Sequence, residues 1–172
     1  FKDDKGKLRS RPQNVKYYQR EGFSWTALTV ADFNVRYMPS GSIFDAKGSS
    51  GFCSTKENLL YFIAMCNAKP CMKFLHILAP TMDYNAGAVA KVPAIVDRAK
   101  YPYVIKTTET CIRLAQQDWD SFEISWDFKK HALLRASATI HETFAQWQEY
   151  TESQFNQLKA NEEELNRIFI DI

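Results

Sequence analysis

Three basic side chains near the start of the chain have a spacing that suits contact with a polyanion. Lys7, Arg9 and Arg11 alternate in the sequence "KLRSR". Because successive side chains of an extended backbone point to opposite sides, all three would lie on the same side of such a segment. Lysine and arginine bind phosphate oxygens through charge-assisted hydrogen bonds. We therefore predict an extended arm that contacts a nucleic acid; the alternative is a solvated linker.

Two further stretches of the first third carry side chains suited to the same contact. Arg36 falls on the polar side of an alternating strand pattern in "FNVRY". Lys47, Ser49 and Ser50 belong to a loop of small residues, which a sugar–phosphate backbone could approach closely. We predict DNA contacts at these four positions as well. The alternative is an ordinary strand surface followed by an ordinary turn.

The charge of the chain is unevenly distributed, although its net value is only +2. Residues 1–56 hold ten Lys and Arg against five Asp and Glu, whereas residues 57–172 hold twelve against fifteen. A basic front end permits a nucleic-acid contact there. No apolar run approaches the roughly 18–20 residues that a membrane span needs, so we predict no membrane contact. The four cysteines show no CxxC pairing, and we interpret them as reduced and the protein as cytoplasmic.

Motifs for self-contained catalysis are absent from the sequence. None of GxGxxG, GxxxxGK[ST], HExxH, GxSxG or a Pro-Pro dipeptide occurs. The four cysteines form no CxxC pair, and the three histidines do not cluster with them, so we predict reduced cysteines and no metal site. We assign no catalytic residue. An independent hydrolase of unknown type is kept as a third alternative.

Aromatic and acidic residues are concentrated in "DWDSFEISWDF", residues 118–128. Aromatic side chains that stack on bases usually lie in basic grooves, and the four acidic residues of this stretch would repel phosphate. We therefore predict that Trp119, Trp126 and Trp147 form a structural clasp that fixes the last helix. The alternative is docking onto another part of a longer protein.

Periodicity along the chain predicts an α+β fold. Alternating patterns in the first third indicate a small, twisted, mixed or antiparallel sheet, and helical spacing follows a start signal at Ser54 or Thr55. The region 96–172 is mainly helical, with a stripe of apolar residues from Ile140 onward. We place an α/β target-recognition part at 1–95 and a helical spacer or brace at 96–172. Because Phe1 starts the sequence without a signal segment, we expect a piece of a longer protein.

Six stretches, in this order, carry a resemblance that spans essentially the whole chain. They are "FKDDKGKLRSRPQN", "YYQREGFSWTALT", "FNVRYMPSGSIFDAKGSSGF", "PTMDYNAGAVAKVPAI", "DWDSFEISWDFKKHALL" and "NEEELNRIFIDI". They resemble the C-terminal half of the large adenine-specific DNA methyltransferases of bacterial phage-exclusion (BREX) systems, the PglX type. The stretch from "LLYFIAMCNAK" to Pro93 is also similar to type I restriction specificity subunits.

The resemblance implies a non-catalytic part of an adenine-N6 methyltransferase. In that family an upstream domain binds S-adenosylmethionine and carries an Asn-Pro-Pro-Tyr motif, which this chain lacks. We therefore expect no cofactor here, S-adenosylmethionine in the longer protein, and a target-recognition role in restriction-modification or phage defence. The implied partners are double-stranded DNA, the upstream methyltransferase domain and other phage-defence proteins. The alternative is a structural or protein-interaction module without DNA contact.

Overall fold

The computed structural model describes residues 4–6, 13–45, 47–134 and 139–172, and it confirms the α+β class. A three-residue 3-10 turn, Val15–Tyr17, precedes the sheet. The sheet is antiparallel, with strand order β2-β1-β3. Its strands are β1 Gly22–Thr26, β2 Arg36–Met38 and β3 Gly48–Gly51.

Five helices follow the sheet in the described part of the chain. The side chain of Thr55 caps the first of them by accepting a hydrogen bond from the Asn58 N–H at 3.2 Å, as the start signal predicts. Pro102 lies in the first turn of the fourth helix, where its missing N–H is tolerated. The helices are α1 Lys56–Asn67, α2 Lys69–Leu78, α3 Ala86–Val89, α4 Tyr101–Trp119 and α5 Ile140–Asp171.

The first core lies between one face of the sheet and helices α1 and α2. Phe23 and Trp25 of β1 supply the sheet's buried aromatic rings, which pack with Leu59 and Leu75 of the helices. The Trp25 indole Nε1–H donates to the carbonyl oxygen of Tyr84 at 2.7 Å. This hydrogen bond fixes the irregular segment before α3 against strand β1 of the sheet.

A second core joins α1 to the end of α5. Tyr61 is fully buried, and its ring lies 5.4 Å from that of Phe169 between centroids. Leu165 and Ile168 pack beside them, and the Lys69 N–H donates to the Asn166 side chain at 2.8 Å. This core contains residues from both sides of position 95, and the division of the chain at that position stays a prediction.

Helix α5 is anchored at its end and exposed along its first half. Its 32 residues give a length of about 48 Å. Leu165, Ile168 and Phe169 are buried, whereas Ile140 and Phe155 of the same helix are exposed. In the part of the chain that the structure describes, no helix has the length and apolarity needed to cross a membrane.

Candidate nucleic-acid interface

The outer face of the sheet carries a row of polar side chains across its three strands. In the antiparallel register, Ser24 of β1 is paired with Arg36 of β2 on one side and with Ser50 of β3 on the other. Side chains of directly paired residues lie on the same face of a sheet, so these three are neighbours. Arg36 is exposed, and Ser50 is half-buried. The row therefore presents the exposed Arg36 to solvent beside the half-buried Ser24 and Ser50. The Ser50 hydroxyl lies 3.3 Å from the Gly48 carbonyl oxygen and 3.7 Å from Met38 Sδ, so it has hydrogen-bond partners within the fold.

The two serines that the sequence grouped together lie on opposite faces of β3. Ser49 is paired with Trp25, whose side chain is in the core, whereas Ser50 is paired with Ser24. The alternation of a strand separates them, because residues i and i+1 point to opposite sides. The structure thus brings Ser50 to Arg36 and places Ser49 on the side of the core.

Lys47 lies at the same end of the sheet as Arg36, but the continued register pairs it with the buried Ala27, on the side of Ser49 and not on the side of Arg36. Lys47 immediately precedes β3, and Arg36 is the first residue of β2, so the two flank the last residues of β1. Two strand spacings of about 4.8 Å separate these outer strands. The Asp45 carboxylate accepts hydrogen bonds from the N–H groups of Gly48 and Lys47, which lower its pKa below the ordinary value. The loop conformation that presents Lys47 is therefore fixed by its own carboxylate.

The position of Arg36 is set by a residue of helix α1. The Val35 N–H donates to Asn67 Oδ1 at 2.8 Å, and Asn67 Nδ2 donates to the Val35 carbonyl oxygen at 3.1 Å. The Asn67 side-chain amide thus forms hydrogen bonds with both the N–H and the carbonyl group of Val35, the residue before Arg36. Sequence reasoning missed this contact, because Asn67 was interpreted only as a helix terminator.

A cluster of rings and cations lies at the other end of the sheet's outer face. The Tyr17 and Phe52 rings stack at 5.0 Å, and a Cβ added to Gly22 would lie 3.0 Å from Phe52 Cδ1. The Arg20 guanidinium lies 5.5 Å from the Tyr17 ring centroid and 6.0 Å from that of Phe52. Lys16 Nζ lies 5.0 Å from the Tyr17 centroid. The sequence signal was the basic and aromatic alternation of "KYYQR", which we interpreted only as a short helix.

An acidic residue near this cluster is held by two neighbours. The Tyr37 hydroxyl donates to Glu21 Oε1, and Lys56 Nζ lies 3.9 Å from the same oxygen. Burial, followed by the hydrogen bond to Glu21, raises the pKa of Tyr37 to about 12. The Glu21 carboxylate is therefore directed toward partners within the fold.

Lys7, Arg9 and Arg11 lie outside the described residues, and their predicted role stays a prediction. Among residues 4–6, 13–45, 47–134 and 139–172, no group of three or more His, Cys, Asp or Glu side chains could hold a metal ion.

The three tryptophans of the predicted clasp differ in exposure in the described chain, and their role as a clasp stays a prediction. Trp126 is fully exposed and Trp119 is half exposed at the end of α4. Trp147 alone is partly buried, with its ring 5.8 Å from that of Phe144. In residues 118–128, Ser125 is the buried residue and donates to Asp120 Oδ1 at 2.6 Å. Polar bonds close this loop and leave its rings outside.

Comparisons with known proteins show that the chain is similar to part of two adenine-specific methyltransferases. No protein-family profile matches it. A protein named adenine-specific methyltransferase PglX, from Lacticaseibacillus casei (strain Zhang), is 42% identical over 173 residues, which is 97% of this chain and 14% of that relative. The chain is homologous to part of the PglX-type methyltransferases. The predicted resemblance to this type is thereby confirmed.

A second relative extends the match to another bacterial group. The adenine-specific methyltransferase BrxX of Escherichia coli O9:H4 (strain HS) is 29% identical over 177 residues, covering 100% of this chain and 14% of that protein. The chain therefore spans about one seventh of the length of the curated relatives that it matches. The resemblance to type I restriction specificity subunits stays a prediction.

Proposed function

We propose that this chain is a non-catalytic target-recognition part of an S-adenosylmethionine-dependent adenine-N6 DNA methyltransferase of phage defence. Its proposed ligand is double-stranded DNA in the bacterial cytoplasm. The observation that carries the proposal is the polar row of Ser24, Arg36 and Ser50 on the outer face of the sheet, with Lys47 at the same end. The homology to adenine-specific methyltransferases supplies the context.

The chemistry of the row suits a DNA backbone and the edges of bases. An arginine can form a bidentate contact with a guanine edge or with a phosphate, and serine hydroxyls donate to either. At the other end of the same face, Lys16 and Arg20 flank the Tyr17 ring. Arg36 thus lies at one end of this face and Lys16 and Arg20 lie at the other, and the Lys7, Arg9 and Arg11 arm would extend it.

A recognition part separate from the catalytic part has a physical rationale. An enzyme that modifies an adenine in a duplex must extrude the base, at a cost of a few kcal/mol in stacking and pairing. Contacts to the flanking duplex hold the DNA in register while this occurs. Our proposal assigns cofactor binding and methyl transfer to the rest of the longer protein, because the three-stranded antiparallel sheet and its loops carry no motif for either.

Salt-dependent duplex binding tests the proposal directly. Each phosphate contact contributes about 0.9 to the slope of log K against log salt concentration. We expect Arg36→Ala with Lys47→Ala to reduce that slope by about 1.8 if both contact phosphates. Arg113→Ala, on the exposed side of α4, is the matched control and should leave the slope unchanged.

An exchange of residues in a full-length methyltransferase tests recognition itself. Residues 1–95 would be replaced by those of a relative that methylates a different site, and the methylated sequence would be determined. A changed site supports the proposal. Unchanged methylation at the original site, with full activity, would remove the recognition role and favour the structural-module alternative.

A further inference from the structure

A second surface of the chain lies away from the sheet and is apolar. It consists of the loop after α4 and the first half of α5, and we call it the apolar ridge. Ile124 is 71% exposed, Ile140 83% and Phe155 65%. Its members are Trp119, Phe122, Ile124, Trp126, Ile140, Phe144, Trp147 and Phe155. So many exposed large apolar side chains on one part of a protein mark a protein-interaction site.

The spacing of the ridge along α5 is that of a helix-packing face. Ile140, Phe144 and Trp147 follow one another at intervals of four and three residues, and Phe155 and Leu158 repeat the interval of three. Side chains at these intervals lie on one side of a helix. The distance from Ile140 to Phe155 is about 22 Å at 1.5 Å per residue, which is long enough to pack against four turns of another helix.

The loop part of the ridge is held in its exposed shape by specific bonds. Ser125 Oγ donates to Asp120 Oδ1 at 2.6 Å and accepts from the Asp127 N–H at 3.1 Å. Phe122, Ile124 and Trp147 line a shallow pocket between the loop and α5. Trp126 stands fully exposed on the same loop. Exposed aromatic rings on a fixed scaffold are typical anchors of protein interfaces.

The charge around the ridge defines the chemistry of its partner. Residues 118–156 contain seven acidic and three basic residues, a net charge of −4. A DNA backbone would be repelled, and two copies of the same anionic surface would repel each other. Complementarity therefore favours a surface with an apolar centre and a rim of Lys and Arg.

We propose that the apolar ridge docks a helix with a Lys- and Arg-rich rim in another segment of the same methyltransferase polypeptide. The relatives are about seven times longer than this chain, so most of such a polypeptide lies outside it. The second core holds α5 at Leu165, Ile168 and Phe169. In its first half Thr143 is buried, whereas Ile140, Phe144 and Phe155 are exposed and can contact a docked helix. This inference rests on the chain's place in a longer methyltransferase, and it does not depend on the DNA contact.

Carbodiimide cross-linking of a full-length methyltransferase tests the docking. The reagent couples a carboxylate directly to an amine in salt-bridge contact, and mass spectrometry identifies the joined residues. We expect Asp118, Asp120, Glu123 or Glu152 to be joined to lysines outside these 172 residues. Phe144→Glu with Phe155→Glu should reduce those products at least tenfold, because charges would face the apolar centre. Ile77→Glu, at a 78% exposed position on α2, is the matched control.

Two other results of the cross-linking experiment would overturn the docking inference. Cross-links between two copies, with a dimeric mass, would identify a second copy as the occupant. Absence of cross-links, together with hydroxyl-radical oxidation of Trp126 as fast as in a free peptide, located by mass spectrometry, would show an uncovered ridge. Trp126→Ser keeps the test valid if the double variant fails to fold, because this fully exposed ring is not part of either core. The exchange of residues 1–95 tests the recognition role separately. If the ridge variants lose docking while that exchange gives the same result as before, docking and recognition are independent of each other.

Discussion

Asn67, the last residue of α1, forms two hydrogen bonds with the backbone of Val35, which directly precedes Arg36. The amide acts as a substitute for a neighbouring strand, since it satisfies both the N–H and the carbonyl group of one residue. Helix α1 thereby fixes the position of the backbone at which Arg36 begins strand β2.

Removing the Asn67 amide should destabilise the fold and disturb the polar row. We expect Asn67→Ala to lower the free energy of unfolding by about 1–3 kcal/mol, because two hydrogen bonds are lost together. Asn67→Asp keeps the acceptor for the Val35 N–H and should cost less. Urea denaturation measures both, with Asn156→Ala on the exposed side of α5 as the control. Equal stability of the three variants would contradict this role.

The packing of Gly51 on Phe23 gives a second prediction. A Cβ added at Gly51 would lie 2.3 Å from Phe23 Cζ, whereas one added at Gly48 would meet only Asp45 Oδ1 at 3.4 Å. We expect Gly51→Ala to destabilise the protein by about 1–3 kcal/mol through overpacking, and Gly48→Ala to be tolerated. Thermal unfolding of the two variants compares them directly. Equal melting temperatures would show that β3 can shift away from the core.

The opposite orientation of Ser49 and Ser50 predicts two different defects. Ser50→Glu adds a negative charge to the polar row, whereas Ser50→Gln adds a neutral side chain of nearly the same shape as glutamate. We expect the Ser50→Glu variant to bind duplex DNA at least tenfold more weakly than the Ser50→Gln variant. Ser49→Glu places the charge beside Trp25 on the side of the core. Its defect should be lower stability, since a charge near the core is poorly solvated. Fluorescence anisotropy with labelled duplex and urea denaturation separate these effects.

Ionisation of Tyr37 should destabilise the fold at high pH. Its folded-state pKa is raised from 10.0 to about 12, first by burial and then by the hydrogen bond to Glu21. The protonated form is favoured in the folded state, so its contribution is fully present below pH 10 and is lost as the pH rises through 12. We expect the stability difference between the wild type and Tyr37→Phe to shrink between pH 10 and 12. A difference that stays constant over this range would contradict the assignment.

Local patterns in the sequence predicted several elements and one site residue, but the loop predicted around Ser49 and Ser50 is wrong, because Gly48–Gly51 forms strand β3. Alternation in "FNVRY" predicted that Phe33 and Val35 face the core and that Arg36 faces outward, as the structure has them. The start signal at Ser54 or Thr55 predicted the beginning of α1. These features could be predicted because they depend on residues a few positions apart.

Tertiary structure alone decided which side chains share a surface. The order β2-β1-β3 brings Arg36 and Ser50 to one row through Ser24, and Tyr17 meets Phe52 across 35 positions. The hydrogen bond between Ser125 and Asp120, which closes the loop after α4, leaves no trace in hydrophobic periodicity. The sequence by itself determined the α+β class, the strand faces and the kinship with adenine-specific methyltransferases, because each is encoded in local residue order. The interface and the ridge required the fold, since they are formed by residues distant in sequence that only packing brings together.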